Sequence, residues 1–212
     1  MPTPYATRFH DPAAAAAYRD KFRTRWTRRL SQRAELRALE AALAAAGPAA
    51  TGLVLDVPCG AGRMAGALGR RAAGYLGLDL SLAMARLCRE ETGRPTGQAS
   101  AWALPLAPAS VDLAACLRLS HHVPLEAERR ALLAELCRVA KDAVLVSFLD
   151  RRAPRQVLHR LRRRLQGRPV VRPAWSAAEL AAAAPGFRLA GTFARSGWFS
   201  GQTIALLLRE AP

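Results

Sequence analysis

The sequence predicts an α/β fold: a mostly parallel sheet covered by helices on both faces. Three observations carry that prediction. Strand-like and helix-like segments alternate along most of the chain, the pattern of parallel strands joined by crossover helices. The segments at 111–117 and 143–149 are apolar without alternation, as strands buried on both faces must be. The last two strands, at 187–193 and 201–208, have no helix between them, so they should pair antiparallel at one edge. The 212 residues suffice for one domain with a full core.

Each element has its own signal. Residues 12–46 read as helices, with Asp11 as N-cap and Pro12 in the first turn. Leu30, Leu36, Leu39 and Leu43 fall roughly on one face there, and Gly47-Pro48 is the stop. A strand at 52–57 leads into a helix at 61–71, and a second strand at 73–79 into a helix at 81–91 that Ser81 can cap. A weak strand at 96–99 precedes a loop. The strand at 111–117 is followed by a helix at 125–139 and by the most apolar strand, 143–149. An arginine-rich segment, a short helix at 176–184 and the two final strands complete the chain. No internal repeat appears, and no linker is long enough to set off a second domain.

Composition narrows the class. The formal net charge is +16, and of 32 basic residues only Lys21 and Lys141 are lysines. A GC-rich genome explains arginine in place of lysine, but not the excess of base over acid. A field of this sign favours polyanions: nucleic acid, anionic lipid or a phosphorylated substrate. No apolar run reaches the roughly 18 residues of a membrane span. Cys59, Cys88, Cys116 and Cys137 form no CxxC, and their spacing suits neither zinc nor a disulfide framework. A reducing cytoplasm is the expected compartment, and no metal is expected.

The chemistry concentrates in VLDVPCGAGRM, residues 54–64. An apolar strand ends in Asp56, and the chain then turns on Pro58, Cys59, Gly60, Ala61 and Gly62. Such a turn lets backbone approach a ligand closely. Gly60 to Ala65 also fits the loose dinucleotide pattern GxGxxG/A, a weak signal alone. A pyrophosphate seeks helix N-terminal amides and avoids carboxylates; Asp56 therefore favours a ligand carrying an amine. The second strand ends in Asp79, 23 residues further on, where an acid can accept both hydroxyls of a ribose. A ligand with a ribose, a cationic amine and no phosphate is S-adenosylmethionine.

The stretches VLDVPCGAG, YLGLDLSLAMARL, ALPLAPASVDLAACLRLSHHV and LLAELCRVAKDAVLVSF occur in that order. In order and spacing the chain resembles the class I S-adenosylmethionine-dependent methyltransferases, of the small bacterial kind like methyltransferase domain 11. The resemblance implies a Rossmann-like sheet of seven strands with the last antiparallel. It implies that Asp56 and the turn from Pro58 through Gly60 to Gly62 hold the methionine end. It gives Asp79 the ribose hydroxyls, Leu80 the adenine face, and Ser100, Ala101 and Trp102 the adenine edge. Backbone near Cys116 and Leu117 would meet the methionine portion. Two positions depart from the pattern. Pro58 replaces the first glycine of the usual turn, and Ser100 stands where many relatives have an aspartate for the adenine amine. The implied organisation is a single domain over 1–212, with a helical lid at 1–48 and a basic insertion at 151–175.

Other residues have competing readings. His121 and His122 follow the fourth strand, where the acceptor should arrive; one of them as general base competes with a local structural hydrogen bond. Cys59 as a nucleophile competes with a place inside the cofactor turn, which is favoured. Cys88, Cys116 and Cys137 read as core, and Asp112 as structural. Tyr5, Tyr18 and Trp26 lie in the lid region and read as packing. Arg33 and Glu35 could be a cofactor-side pair, but a solvated helix face is favoured. Residues 151–173 hold nine arginines, with Val157, Leu158, Leu161 and Leu165 at helical spacing. The plain reading is a solvated surface helix with that apolar stripe on the sheet; if the helix instead recognises a polyanion, Arg160, Arg162, Arg163 and Arg164 lie on its wet side. The functional readings are an anionic membrane surface, a phosphate-bearing acceptor or RNA. No aromatics interleave with these arginines, which weakens base stacking. An NPPY-like motif is absent after the fourth strand, where LRLSHHV stands, and the PC pair of cytosine-C5 enzymes is absent from its usual place. The favoured expectation is methyl transfer to a small-molecule or lipid-like acceptor, at oxygen, in a cytoplasmic protein that can sit at the membrane periphery. An RNA methyltransferase and a non-catalytic cofactor-binding or partner protein are the rivals.

Overall fold

The computed structural model describes residues 11, 13–15, 17, 20, 26–167, 173–198 and 202–210. Seven strands form one sheet: β1 (Leu53–Asp56), β2 (Gly74–Asp79), β3 (Thr96–Gln98), β4 (Val111–Cys116), β5 (Ala140–Leu149), β6 (Phe187–Trp198) and β7 (Gln202–Arg209). Their order is β3-β2-β1-β4-β5-β7-β6. The first five pair parallel, and β7 runs antiparallel to both β5 and β6. The described helices are α1 (Trp26–Ala46), α2 (Ala65–Leu68), α3 (Leu82–Thr92), α4 (Glu126–Val139), α5 (Pro154–Leu165) and α6 (Ala177–Ala182). This is the Rossmann-like arrangement the alternation predicts.

The strands are apolar throughout because successive side chains enter two different layers. Leu55, Ala114, Val144 and Leu207 meet Leu132, Leu136 and Val139 of α4 and Leu180 of α6. Their neighbours Val54, Leu113, Leu145 and Leu206 meet Leu39, Ala42, Leu43 and Ala46 of α1 and Leu68 of α2. Caps fix two of the helix starts. Ser81 Oγ accepts the Met84 N–H at 3.2 Å, and Ser176 and Glu179 form a capping box.

Four expectations are corrected. Leu30 is exposed and Leu36 half-buried; the inner stripe of α1 is Glu35, Ala38, Leu39, Ala42, Leu43 and Ala46. Small alanines let the helix lie close to the sheet, so they carry contact that a search for leucines misses. The helix expected at 61–71 is only Ala65–Leu68. Gly62 takes φ +75°, and Gly66 and Gly69 weaken the segment on either side of its end. β5 begins at Ala140, where it pairs with Val111, because polar Lys141 and Asp142 hide its start in the sequence. The apolar stripe of α5 does not rest on the sheet: Val157, Leu158, Leu161 and Leu165 are exposed, while Arg160 and Arg163 are half-buried. Both sheet faces are already covered by α1 and by α4 with α6, which leaves α5 no apolar surface to join. The Asp11 cap is present, with the Ala13 N–H donating to its carboxylate at 3.0 Å. Tyr5, Tyr18 and the Trp26 side chain lie outside the described residues.

Candidate active site

In an open parallel sheet the crevice for ligands lies beyond the carboxyl ends of the strands, where strand order reverses. Here that point is between β1 and β4. β1 ends in Asp56 and passes through a cis Val57-Pro58 peptide into the glycine turn. The Cys59 N–H donates to Leu78 O at 2.9 Å, tying the turn to the end of β2. Gly60 has φ +53° and Gly62 φ +75°, conformations that favour glycine. A Cβ on Gly62 would stand 2.7 Å from Thr92 Cγ2 and 3.1 Å from Cys88 Sγ, so the turn lies tight on α3. A Cβ on Gly60 would meet nothing within 4 Å; that side opens on the crevice.

Two acids flank the turn. The Asp79 carboxylate accepts the Gly60 N–H at 2.9 Å on Oδ2 and the Ser81 N–H at 2.9 Å on Oδ1. One side chain thus fixes the glycine turn and the start of α3. Asp56 is 2% exposed, and its Oδ2 accepts the Tyr75 O–H at 2.8 Å. Burial pushes its carboxyl up to about 8, against the opposing effect of the tyrosine bond. Burial also raises the Tyr75 phenol, which keeps the proton it donates. Below the turn the Cys59 thiol hydrogen-bonds Cys88, and that bond together with burial holds Cys59 far above the usual thiol range. It is a structural thiol. All four cysteines are free and buried.

Glu35 overturns the expected solvated face. It is 3% exposed and accepts from Arg63 at 3.2 Å and Arg118 at 3.1 Å, whereas Arg33 faces solvent. Arg63 follows the glycine turn, and Arg118 follows β4 with φ +69°. The Arg-Glu-Arg group therefore joins α1 to both sides of the crevice. Removing the acid leaves two cations facing each other in a largely buried place, and breaking such a pair from one side typically costs about 3 kcal/mol. Arg118 is partly solvated, so we expect Glu35→Gln to cost about 2 kcal/mol. A fall in melting temperature of roughly 4–8 °C would register it, and an unchanged melting temperature would refute it.

The remaining predicted residues gather around the same edge. Leu80 is half-buried just past β2. Ser100 Oγ accepts the Trp102 N–H at 3.2 Å, and the Trp102 indole N–H donates to Glu128 O at 2.8 Å, which fixes the ring against α4. Ala101, Cys116 and Leu117 are buried. His121 and His122 sit on a single 3-10 turn after β4, ring centroids 4.2 Å apart, the first buried and the second half-buried. Ser147 of β5 locks that turn: its Oγ accepts the Arg118 N–H and its carbonyl accepts the Ser120 O–H, both at 2.6 Å. Asp112 lies at the other end of the sheet, accepting the Leu53 N–H, and is structural. Among the described residues no three His, Cys, Asp or Glu side chains come together as a metal site. Sequence reasoning missed Tyr75, Arg63, Arg118 and Ser147. None lies in a pattern that signals its partner, because each meets it only in the packed fold: Arg63 and Arg118 at Glu35 of α1, Tyr75 and Ser147 across neighbouring strands.

The residues present fit S-adenosylmethionine: an acid at the end of each of two neighbouring strands, and between them a turn that is open at Gly60 and packed at Gly62. Comparison agrees. The family described as "Methyltransferase domain" matches residues 55–148. No curated protein matches the chain. Among solved structures, magnesium protoporphyrin IX methyltransferase from Synechocystis PCC 6803 with bound SAH superposes with a TM-score of 0.79 at 19% identity, over 98% of this chain and 99% of that one. The same enzyme with bound SAM gives 0.66 at 21% identity, over 87% and 82%. A SAM-dependent methyltransferase of Thermotoga maritima, described as a possible histamine N-methyltransferase, gives 0.66 at 18% identity, over 96% and 99%. At these identities the likeness is one of fold.

Proposed function

We propose that the chain, whose residues 55–148 match the methyltransferase domain family, is a class I, S-adenosylmethionine-dependent methyltransferase that transfers methyl to an oxygen of a small-molecule or lipid-like acceptor. The observation that carries the cofactor assignment is the pair of acids, Asp56 and Asp79, flanking a turn built on two glycines of positive φ. The acceptor class rests on the surroundings of the mouth. Leu125 is exposed just beyond the two histidines, and Leu82 just beyond Asp79. The fold itself does not choose the acceptor, since acceptor sites are grafted on folds.

Bound S-adenosylmethionine would supply a methyl group already activated by its sulfonium. The chain's task is to align an acceptor atom with that carbon and to exclude water. Asp56 holds the ammonium of the methionine end, and backbone at Pro58, Gly60, Gly62, Cys116 and Leu117 lines the same end. Asp79 accepts the ribose hydroxyls. Leu80 packs on the adenine, and the loop at Ser100, Ala101 and Trp102 borders its edge; the Ser100 hydroxyl still has its own proton to give. The segment before β1, with α1 anchored by Glu35, serves as a lid. His121 or His122 takes the proton of an acceptor hydroxyl, a role worth roughly 10²-fold or more in rate. We expect His121→Ala or His122→Ala to lower turnover by at least that factor with cofactor affinity intact. If both variants stay within a few-fold of the parent, catalysis is by positioning alone.

The experiment for the whole reading is transfer of radiolabelled methyl to a fractionated cell extract. Label should enter the lipid or small-molecule pool in a base-stable or ester-type linkage to oxygen. Label confined to RNA or protein would overturn the acceptor class. Calorimetry that detected NAD but not S-adenosylmethionine would overturn the cofactor. Four free, buried thiols support a reducing compartment for this chemistry.

A further inference from the structure

α5 is built inside out. On an ideal helix Val157, Leu158, Leu161 and Leu165 fall within an arc of about 100°. They are 51, 67, 54 and 81% exposed, and no residue of α5 is buried. Apart from Pro154 in the first turn, which falls on the side of the stripe, the half-buried side chains are those of Gln156, Arg160 and Arg163, so the polar side faces the protein. A helix serving as ordinary surface would show water the opposite face. A contiguous apolar stripe of this kind on a soluble surface calls for something to cover it.

Charge identifies what covers it. Arg155 and Arg162 border the stripe on one side and Arg164 on the other, where long basic side chains can reach up to phosphates while the stripe enters an apolar layer. No acid occurs between residues 151 and 178. Other exposed apolar residues lie at the same edge of the sheet. Leu82 follows β2, Leu125 follows β4, and α5 itself follows β5, all at the carboxyl edge of the sheet. Leu30 lies on α1 beyond Glu35, the residue that meets the same edge. Of eight large exposed apolar side chains among the described residues, only Leu53 lies elsewhere.

We propose that α5 docks this edge of the protein on an anionic lipid surface, lying in the headgroup layer with its leucines inserted and its flanking arginines on phosphates. The crevice between β1 and β4, with His121 and His122 at its mouth, opens at that same edge. An acceptor lodged in the bilayer would then reach the site without crossing water. This last point rests on the methyltransferase reading; the docking itself does not.

The test is flotation of the full chain with vesicles at about physiological salt, without cofactor. Vesicles of phosphatidylcholine containing phosphatidylglycerol should bind at least about ten-fold more tightly than phosphatidylcholine alone. Two variants separate the components: Leu158→Gln with Leu161→Gln and Leu165→Gln, and Arg155→Gln with Arg162→Gln and Arg164→Gln. Each set should weaken binding to the anionic vesicles about ten-fold or more, with melting temperature and S-adenosylhomocysteine affinity unchanged, because none of these side chains is buried. Leucine variants that bind as well as the parent would overturn the proposal, since the stripe would then insert nowhere. So would a parent that floats with neither vesicle, or RNA binding that the arginine set abolishes while vesicles never bind. A dimer that the leucine set converts to monomer would instead assign the stripe to a second copy of the chain and overturn it equally. Loss of vesicle binding with S-adenosylhomocysteine still bound would leave the methyltransferase reading intact.

Discussion

Asp79→Ala should weaken binding of S-adenosylmethionine or its demethylated product by roughly 10³-fold. The carboxylate is proposed to accept two ribose hydroxyls, and hydrogen bonds to a charged group contribute about 1.5–3 kcal/mol each. The same substitution strips two backbone donors. Gly60 N–H and Ser81 N–H each lose a 2.9 Å partner, and the second is buried. An unsatisfied buried donor costs about 1–3 kcal/mol, so stability should fall as well, by some 5 °C or more in melting temperature. Asp79→Asn offers a control, since it keeps one acceptor oxygen and should fall between parent and alanine variant in both measurements. Calorimetry showing the alanine variant within three-fold of the parent would remove Asp79 from the site.

Asp56→Asn should separate stability from binding, in opposite directions. In the folded chain the Asp56 carboxyl titrates near 8 because it is buried, well above the unfolded value of about 4. Between those limits the native state holds a proton that the unfolded state has released, so this group's contribution to stability declines as pH rises from about 4 to 8. At pH 7 the accumulated cost is roughly 4 kcal/mol, at about 1.4 kcal/mol per pH unit. Asparagine carries no such penalty and can still accept from Tyr75. Urea unfolding at successive pH values should therefore find the variant and parent alike near pH 4, with the variant increasingly the more stable up to pH 8. On the proposed role of Asp56, its cofactor affinity should collapse, because the ammonium of the methionine end would then have no counter-charge. In the parent, binding near pH 7 should release close to one proton, which calorimetry in buffers of different ionisation enthalpy measures directly. A variant no more stable than the parent at pH 8 would contradict the buried, protonated state of Asp56.

The charge state of Asp56 shows why part of the site was hidden. Its position at a strand end beside two glycines is written in consecutive residues. Its low exposure and its bond from Tyr75 are not, because Tyr75 comes from the neighbouring strand, in a register that pairs Val54 with Tyr75. Glu35 is the sharper case. Read along α1 it is a polar residue among arginines, yet it lies on the same stripe as Ala38, Leu39 and Ala42, and its partners come from after β1 and after β4.

What the sequence determined by itself is what depends on near neighbours: the alternation of strand and helix, the Ser81 cap, the antiparallel end, and the acid–glycine–acid spacing on which the cofactor proposal rests. These follow from local hydrogen bonding, backbone freedom at glycine and the burial period of each element. The tertiary structure alone decided which polar groups are desolvated and which apolar groups are left in water. Glu35 is buried because the crevice brings two arginines to it. The leucines of α5 are exposed because α1, α4 and α6 have already covered both faces of the sheet. Burial is a property of what else occupies the space around a residue, and that is set only when the whole chain has packed.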